Sequence, residues 1–573
     1  MRLFAILLII LGCQDPEGKT SGADKDPESM SENPPAFQQL DEIINGGNQE
    51  APLEVPLRTI PEPEDCQGEE ILPSRLWRLT EAQLKNTLDE ALGREYGALL
   101  GPLEDLETKG AFTNQADQLQ LSAPQVMKAL TAFESIADQL LNPDGGAADL
   151  LACARSSSEA CVDRAISLYG EKLWRRPLQD EEVQSLKAIY SRYREAGADQ
   201  SRGIHLMIRL MLQAPAFWYR FEIGSPGADR RALTDFELAS LLSYTLWDGP
   251  PDGELRRLAR SGDLRDDAVL KAQFARMLND PKSSKGFMSF FDHWLGIHKV
   301  LTSPKDSALF GTDLTDDVRL DLRQESQHYI RHMILEQEAD MGTFFASPET
   351  LINANLANFY GLESATTSQF TLTTDPQRAG LLTQGAFIVA QSGQKSTSMV
   401  HKGAFVFDQL LCAPLPPPPP DISSQMVHDG HQELTTRQKF EQLHSQGSCQ
   451  GCHARLDPVG ASFESFDPIG RFRTHEGSLP IDASGAIDGV DGANITFQNA
   501  TDMMKKLADT DRFRTCFALK YFQYAMGKKA AERQSCETAR FYQKFENESF
   551  KMKSIAAALL ELESFKQRQH RGP

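Results

Sequence analysis

The sequence predicts a mainly α, multi-domain helical body with little β structure. Two observations carry this. Thr followed three residues later by Glu or Gln stands at the head of apolar stretches spaced at three and four residues, which is how a helix start is written. Alternating apolar and polar runs are scarce, limited to short pieces near 385–390 and 481–497. No internal repeat is present. The 573 residues, 40% of them apolar, allow about three or four folded units and rule out a wholly disordered chain.

Residues 1–12 have the form of an export signal. Met1-Arg2 precedes the unbroken apolar run Leu3–Leu11, then Gly12-Cys13. Nine apolar residues are too few to span a bilayer, which needs roughly 20. Ile10-Leu11-Gly12-Cys13 resembles a bacterial lipobox, which implies cleavage before Cys13 and lipidation of its thiol. The mature chain is then expected to be exported and lipid-anchored, in the periplasm or on the cell surface, with the outer membrane as its expected site. Its first partner would be the membrane surface, held through acyl chains at about 0.8 kcal/mol per buried methylene.

Residues 13–70 read as a disordered acidic tether. From Gln14 to Glu70 there are fifteen acids and three bases, −12 of the chain's net −21. Too few apolar residues are present there to offset the entropy of ordering. An acidic chain also lacks the basic surface that phosphate contacts require, so nucleic acid is excluded as a partner.

Residues 71–225 form the predicted N-terminal helical domain. Thr80-Glu81-Ala82-Gln83 is a capping box that leads into Leu84, Leu88 and Leu92 on one face. Further helices are expected over 163–174, 180–195 and 203–222. Residues 226–370 form a central helical domain. It opens on the capping box Thr234-Asp235-Phe236-Glu237 and continues through 268–278, 284–296 and 315–338. Glu325, His328 and His332 share one face of the last helix. A di-iron bundle would need a second Glu-x-x-His, and none is present, so a packed face is expected. Pro414 and Pro416–Pro420 predict a stiff polyproline spacer. Residues 476–573 make a C-terminal helical domain with a long helical stretch over 536–565.

Residues 371–475 contain the segment that carries chemistry. Cys449-Gln450-Gly451-Cys452-His453 is C-x-x-C-H. Two thiols three positions apart can each add to a haem vinyl group, and the adjacent imidazole can reach the iron. A zinc site would need two more ligands at a suitable spacing, and no second C-x-x-C or H-x₃-H exists. A thioredoxin-like redox pair would follow a strand of a βαβ unit, which this neighbourhood lacks. A plain disulfide needs no histidine. The favoured cofactor is therefore a covalent haem c, with Cys449 and Cys452 as its attachment points and His453 as the metal ligand. The second axial position has candidates downstream (Met503, Met504, Met526) and upstream (Met399, His401, Met426, His428, His431, His444), and no setting compels a choice. The two Asp-Pro steps at Asp457-Pro458 and Asp467-Pro468 read as turns, either of a segment that wraps a flat apolar ring or of a loop with a small aromatic core of its own. Arg471 or Arg473 is placed to meet haem propionates.

Nine cysteines are present. With Cys13 lipidated and Cys449 and Cys452 together, six remain, open to fifteen connectivities. Proximity suggests Cys153 with Cys161 and Cys516 with Cys536. Cys66 with Cys412 follows by elimination.

Several blocks together resemble an uncharacterised family of large exported bacterial proteins, the domains of unknown function 1587, 1595, 1592, 1588 and 1585. Arg78-Leu79-Thr80, Leu173–Leu178, Ala214–Arg220, Leu242–Trp247 and Pro251–Leu255 carry the likeness in the first half. Asn358–Gly361, Arg378–Leu382, Pro416–Pro420, Cys449–Arg473 and Tyr524–Lys528 carry it in the second. Lys528 stands where Arg is usual, and Met399 where Pro is common. The family has no settled activity, and the resemblance implies only association with cytochrome c.

The fold expectation is thus a helical body with a cytochrome-c-like haem segment near the C-terminus. The function expectation is a membrane-tethered, exported c-type haem protein with an electron-transfer or haem-linked redox role, working with another redox protein. The alternative is a cell-surface binding or scaffolding protein in which Cys449 and Cys452 form only a disulfide. An enzymatic variant, with an open sixth position on the iron, also stays open.

Overall fold

The structure, a computed structural model, divides the chain into two units, residues 1–55 and 56–573. It describes residues 71–103, 112–142, 148–156, 158–227, 229–363, 367–414, 434–444, 450–528 and 536–570, all in the second unit. The expected signal peptide and tether, Cys13, Cys66, Cys449 and Pro416–Pro420 lie outside the described residues. So do Met426, His428 and His431.

Among the described residues helices dominate, and the five sheets are each two-stranded antiparallel ladders. Both predicted capping boxes are formed. Thr80 caps the helix Glu81–Leu92 and Thr234 caps Asp235–Leu246, each with the reciprocal side chain at the third position. The N-terminal helices Ala123–Leu140, Glu159–Trp174, Asp180–Glu195 and Gln200–Gln213 enclose a core that includes Leu84, Phe133, Ile166 and Met207. In the central part, Phe290 of the helix Ser283–Leu295 sits against Phe517, Tyr521 and Tyr524, at ring separations of 5.8, 5.0 and 5.5 Å. Those three rings belong to the helix Asp511–Met526, so the central and C-terminal parts share one aromatic core. Among the described residues, no helix is long and apolar enough to cross a membrane.

Several expected elements end or change where a local rule was outvoted. The stretch 203–222 is not one helix. It ends at Gln213, because Ala214 precedes Pro215 and is extended (φ −67°, ψ 142°). After one turn the chain becomes the strand Tyr219–Glu222, paired with Arg75–Arg78. The 315–338 helix is regular over Asp316–Arg331 and then widens into a π turn, His332–Glu336. The 536–565 stretch is helical over Cys536–Asn547 and breaks at Ser549 and Phe550, both with φ +55°. The strand-like piece 385–390 is a helix, Gly385–Ala390. Its residues are buried nearly all round, so its short apolar run has no periodicity to separate strand from helix. Near 481–497 the expectation holds, as the ladder Gly485–Val490 with Ala493–Phe497.

Two of the cysteine pairings are corrected. Cys153 is bonded to Cys161 as expected. Cys516, however, is bonded to Cys412 and not to Cys536, which excludes Cys66–Cys412 as well. Proximity in sequence misled here, because packing brings the end of the helical stretch near 410 onto the helix Asp511–Met526. Cys536 is also disulfide-bonded, but to none of the described cysteines.

Candidate functional site

The helix Gln450–Ala461 carries Cys452, His453 and Asp457. His453 and Asp457 are four residues apart and so share a helix face. The expected turn at Asp457-Pro458 is absent, because Pro458 lies inside this helix. Neighbours hold the helix despite the missing N–H. A Cβ on Gly403 would stand 2.3 Å from the Leu456 carbonyl, and one on Gly460 would stand 2.0 Å from the Met399 carbonyl. The helix Met399–Phe405 therefore lies backbone against backbone along it, a separation only glycine permits.

Asp457 is buried, 7% exposed, and accepts from two histidines. Its Oδ1 takes the Nδ1–H of His453 at 2.9 Å. Its Oδ2 takes the Nδ1–H of His444 at 2.7 Å. His444 is the last residue of the helix Thr436–His444 and is flanked by Phe440, with ring centroids 5.2 Å apart. The two imidazoles are stacked at 3.5 Å with 30° between their planes. Each histidine thus uses Nδ1 on the carboxylate and keeps Nε2 for another partner. His444, His453 and Asp457 bring possible metal-ligand atoms within 4.8 Å of one another, and form the one such group among the described residues. Cys452, next to His453, is half-buried and carries a free thiol.

The loop in front of the Met399–Phe405 helix is fixed by buried charge. Lys402, fully buried, donates to Ser392 Oγ at 3.0 Å and to the Thr397 carbonyl. Burial pushes its ammonium group down to about 8. Glu464 accepts from Thr397 Oγ1 and from Arg473 at 3.0 Å, and burial raises its carboxyl. Lys305 donates to the carbonyls of Val389, Ser392 and Gly393, and burial takes it down to about 7. The Thr397–Glu464 bond ties this loop to the segment that follows the site helix, and Lys305 holds the start of the loop.

The other sequence candidates fall elsewhere. Met399, Met503, Met504 and Met526 are core side chains, none more than 1% exposed, and His401 is exposed. Arg471 is paired with Asp467 and Asp313, and Arg473 with Glu464, so both guanidinium groups already have carboxylate partners. Glu325 is buried and accepts from Thr350 and Tyr360 at 2.6 Å each. His328 stacks on Phe370, and His332 meets Glu336, which makes this a packed face as expected. Sequence reasoning missed the role of Asp457. The signal was its i,i+4 spacing from His453, hidden by the turn preference of Asp-Pro.

Five families of proteins of unknown function match the chain in succession. They are DUF1587 over residues 77–142, DUF1595 over 161–222, DUF1592 over 233–362, DUF1588 over 378–476 and DUF1585 over 494–565. The DUF1588 segment contains the whole site from His444 to Asp457. No curated protein and no solved structure matches the chain.

Proposed function

The chain belongs to the family of proteins built from these five domains of unknown function, and from that premise we propose that it is a c-type haem protein, exported and tethered to a membrane surface. One observation carries the proposal: an unbonded thiol, Cys452, beside a histidine whose Nδ1 is held by a buried carboxylate. A histidine that binds a metal through Nε2 is commonly fixed in this way through its other nitrogen. The donor set fits a haem attached by thioether bonds at Cys449 and Cys452, with His453 on the iron. The haem would supply one-electron redox chemistry. In the protein, Cys449 and Cys452 hold it, His453 ligates it, and Asp457 fixes the imidazole's tautomer and plane.

Electron transfer to or from another redox protein is the role this arrangement supports. The apolar run before Cys13 supports a lipid anchor in the periplasm or on the cell surface. The free Cys452 speaks against the scaffolding alternative, which needs a Cys449–Cys452 disulfide.

The test is export in a host that attaches haem. Matured protein is expected to show a pyridine-haemochrome band and the added mass of one haem, both lost in Cys449→Ser plus Cys452→Ser. A colourless product, with and without those substitutions, overturns the proposal. A high-spin spectrum that shifts with cyanide would point to haem-linked catalysis in place of simple electron transfer.

A further inference from the structure

On the reading that a haem is attached here, we propose that Asp457 and His444 set the reduction potential of the iron in opposite senses, by dividing one carboxylate between two imidazoles. Asp457 is the positioning residue and His444 its competitor.

The geometry assigns the roles. Asp457 has two oxygens, and each takes one imidazole N–H, at 2.9 Å from His453 and 2.7 Å from His444. The carboxylate's ion-pair contacts among the described residues are those two histidines, so no lysine or arginine there draws its charge away. A carboxylate accepting the N–H of a ligand imidazole makes that imidazole more basic, and such hydrogen bonds to a metal's ligands are one of the protein's levers on the metal's potential. A more basic ligand favours the ferric over the ferrous ion and lowers the potential. Burial strengthens the effect, because the local dielectric is low.

His444 moderates it. Its N–H satisfies the second oxygen and withdraws part of the charge that His453 would otherwise receive. Its ring also lies 3.5 Å from the ligand ring, which holds the pair in register. A role in packing alone would affect folding and leave the potential unmoved.

The experiment is spectroelectrochemistry on the full-length holoprotein, with haem content read as pyridine haemochrome. Asp457→Asn keeps the shape and removes the charge, and is expected to raise the midpoint potential by about 60 mV, a tenfold change in the ferric-to-ferrous preference of a one-electron couple. His444→Phe keeps a ring in the stack but offers no N–H, and is expected to lower the potential. Shifts of the same sign, or no shift in either variant, overturn the proposal. Should Asp457→Asn fail to mature, His444→Phe decides alone, since an upward or absent shift contradicts the division of charge. A wild-type chain without haem is a separate result, which removes the haem reading itself.

Discussion

At the scale of single residues, Asp248 is held in a state that water would not give it. It is buried, 4% exposed, and adopts the left-handed region at φ +51°. Its Oδ1 accepts from Gln83 Nε2 at 2.9 Å, its backbone carbonyl accepts from Asn86 at 2.8 Å, and Tyr524 donates to the nearby Ser289 at 2.7 Å. Burial pushes the carboxyl up to about 7, against hydrogen bonds from Gln83 and Ser289 that lower it. The folded chain therefore holds a proton between about pH 4 and 7 that the unfolded chain has released, and the associated stability declines as pH rises through that window. Asp248→Asn removes the titration. Relative to wild type it is expected to gain roughly 2–3 kcal/mol between pH 5 and pH 8, measured by urea unfolding at the two values. An equal difference at both would refute the assignment. Nothing in the sequence marked Asp248, whereas Cys452 and His453 stood out because the C-x-x-C-H spacing is read from the sequence alone. Asp457 sat between these cases. Its i,i+4 relation to His453 was visible, but the helix that carries it packs against Met399–Phe405, a contact that no local rule contains.

Among elements, helix starts were legible and helix ends less so. Thr80 and Thr234 cap the helices that their spacing promised, since a cap is satisfied within four residues. Ends depend on what the chain meets next, as at Ala214, where a proline and a waiting strand stop the helix. The pairing of Met399–Phe405 with Gln450–Ala461 is the element contact on which the site depends. Gly460→Ala would place a methyl group 2.0 Å from the Met399 carbonyl, a backbone atom that cannot turn aside. The helices must separate, at a cost of about 1–3 kcal/mol by the usual scale of overpacking. If the proposed haem is attached, its attachment should fall with it, because His453 and Asp457 ride on the displaced helix. Gly253→Ala, where nothing lies within 4 Å, is the control and should leave the melting temperature and haem content unchanged. Equal behaviour of the two variants in melting temperature and haem content would show that the close approach does not matter.

Across the whole molecule, the ends of the described chain are fastened together by charge, which no local reading reveals. The strand Gln567–Gln569 pairs with Arg230–Ala232, and Gln569 also exchanges backbone hydrogen bonds with Leu72 and Ser74. The Cys412–Cys516 bridge likewise joins distant segments and was misassigned for that reason. At the centre of the fastening, Glu222 is 1% exposed and accepts from Arg75 at 2.8 Å and from Arg568 at 3.0 Å, with a second, shorter contact from Arg568. Burial alone would raise its carboxyl, but Arg568, Arg75 and Arg220 together hold it well below the usual range. Removing one side of such a group leaves the other buried without compensation, which typically costs about 3–5 kcal/mol. Glu222→Gln is thus expected to destabilise the fold by that amount at neutral pH, as read from chemical denaturation. A depressed carboxyl contributes above its unfolded value and loses that contribution as pH falls, so the gap from wild type should narrow in acid. Arg257→Ala breaks an exposed pair with Glu254 and should leave stability nearly unchanged at any pH. If Glu222→Gln were as mild as Arg257→Ala, the ends of the described chain would be held by backbone pairing and apolar packing without help from charge, and the arginines around Glu222 would need another explanation.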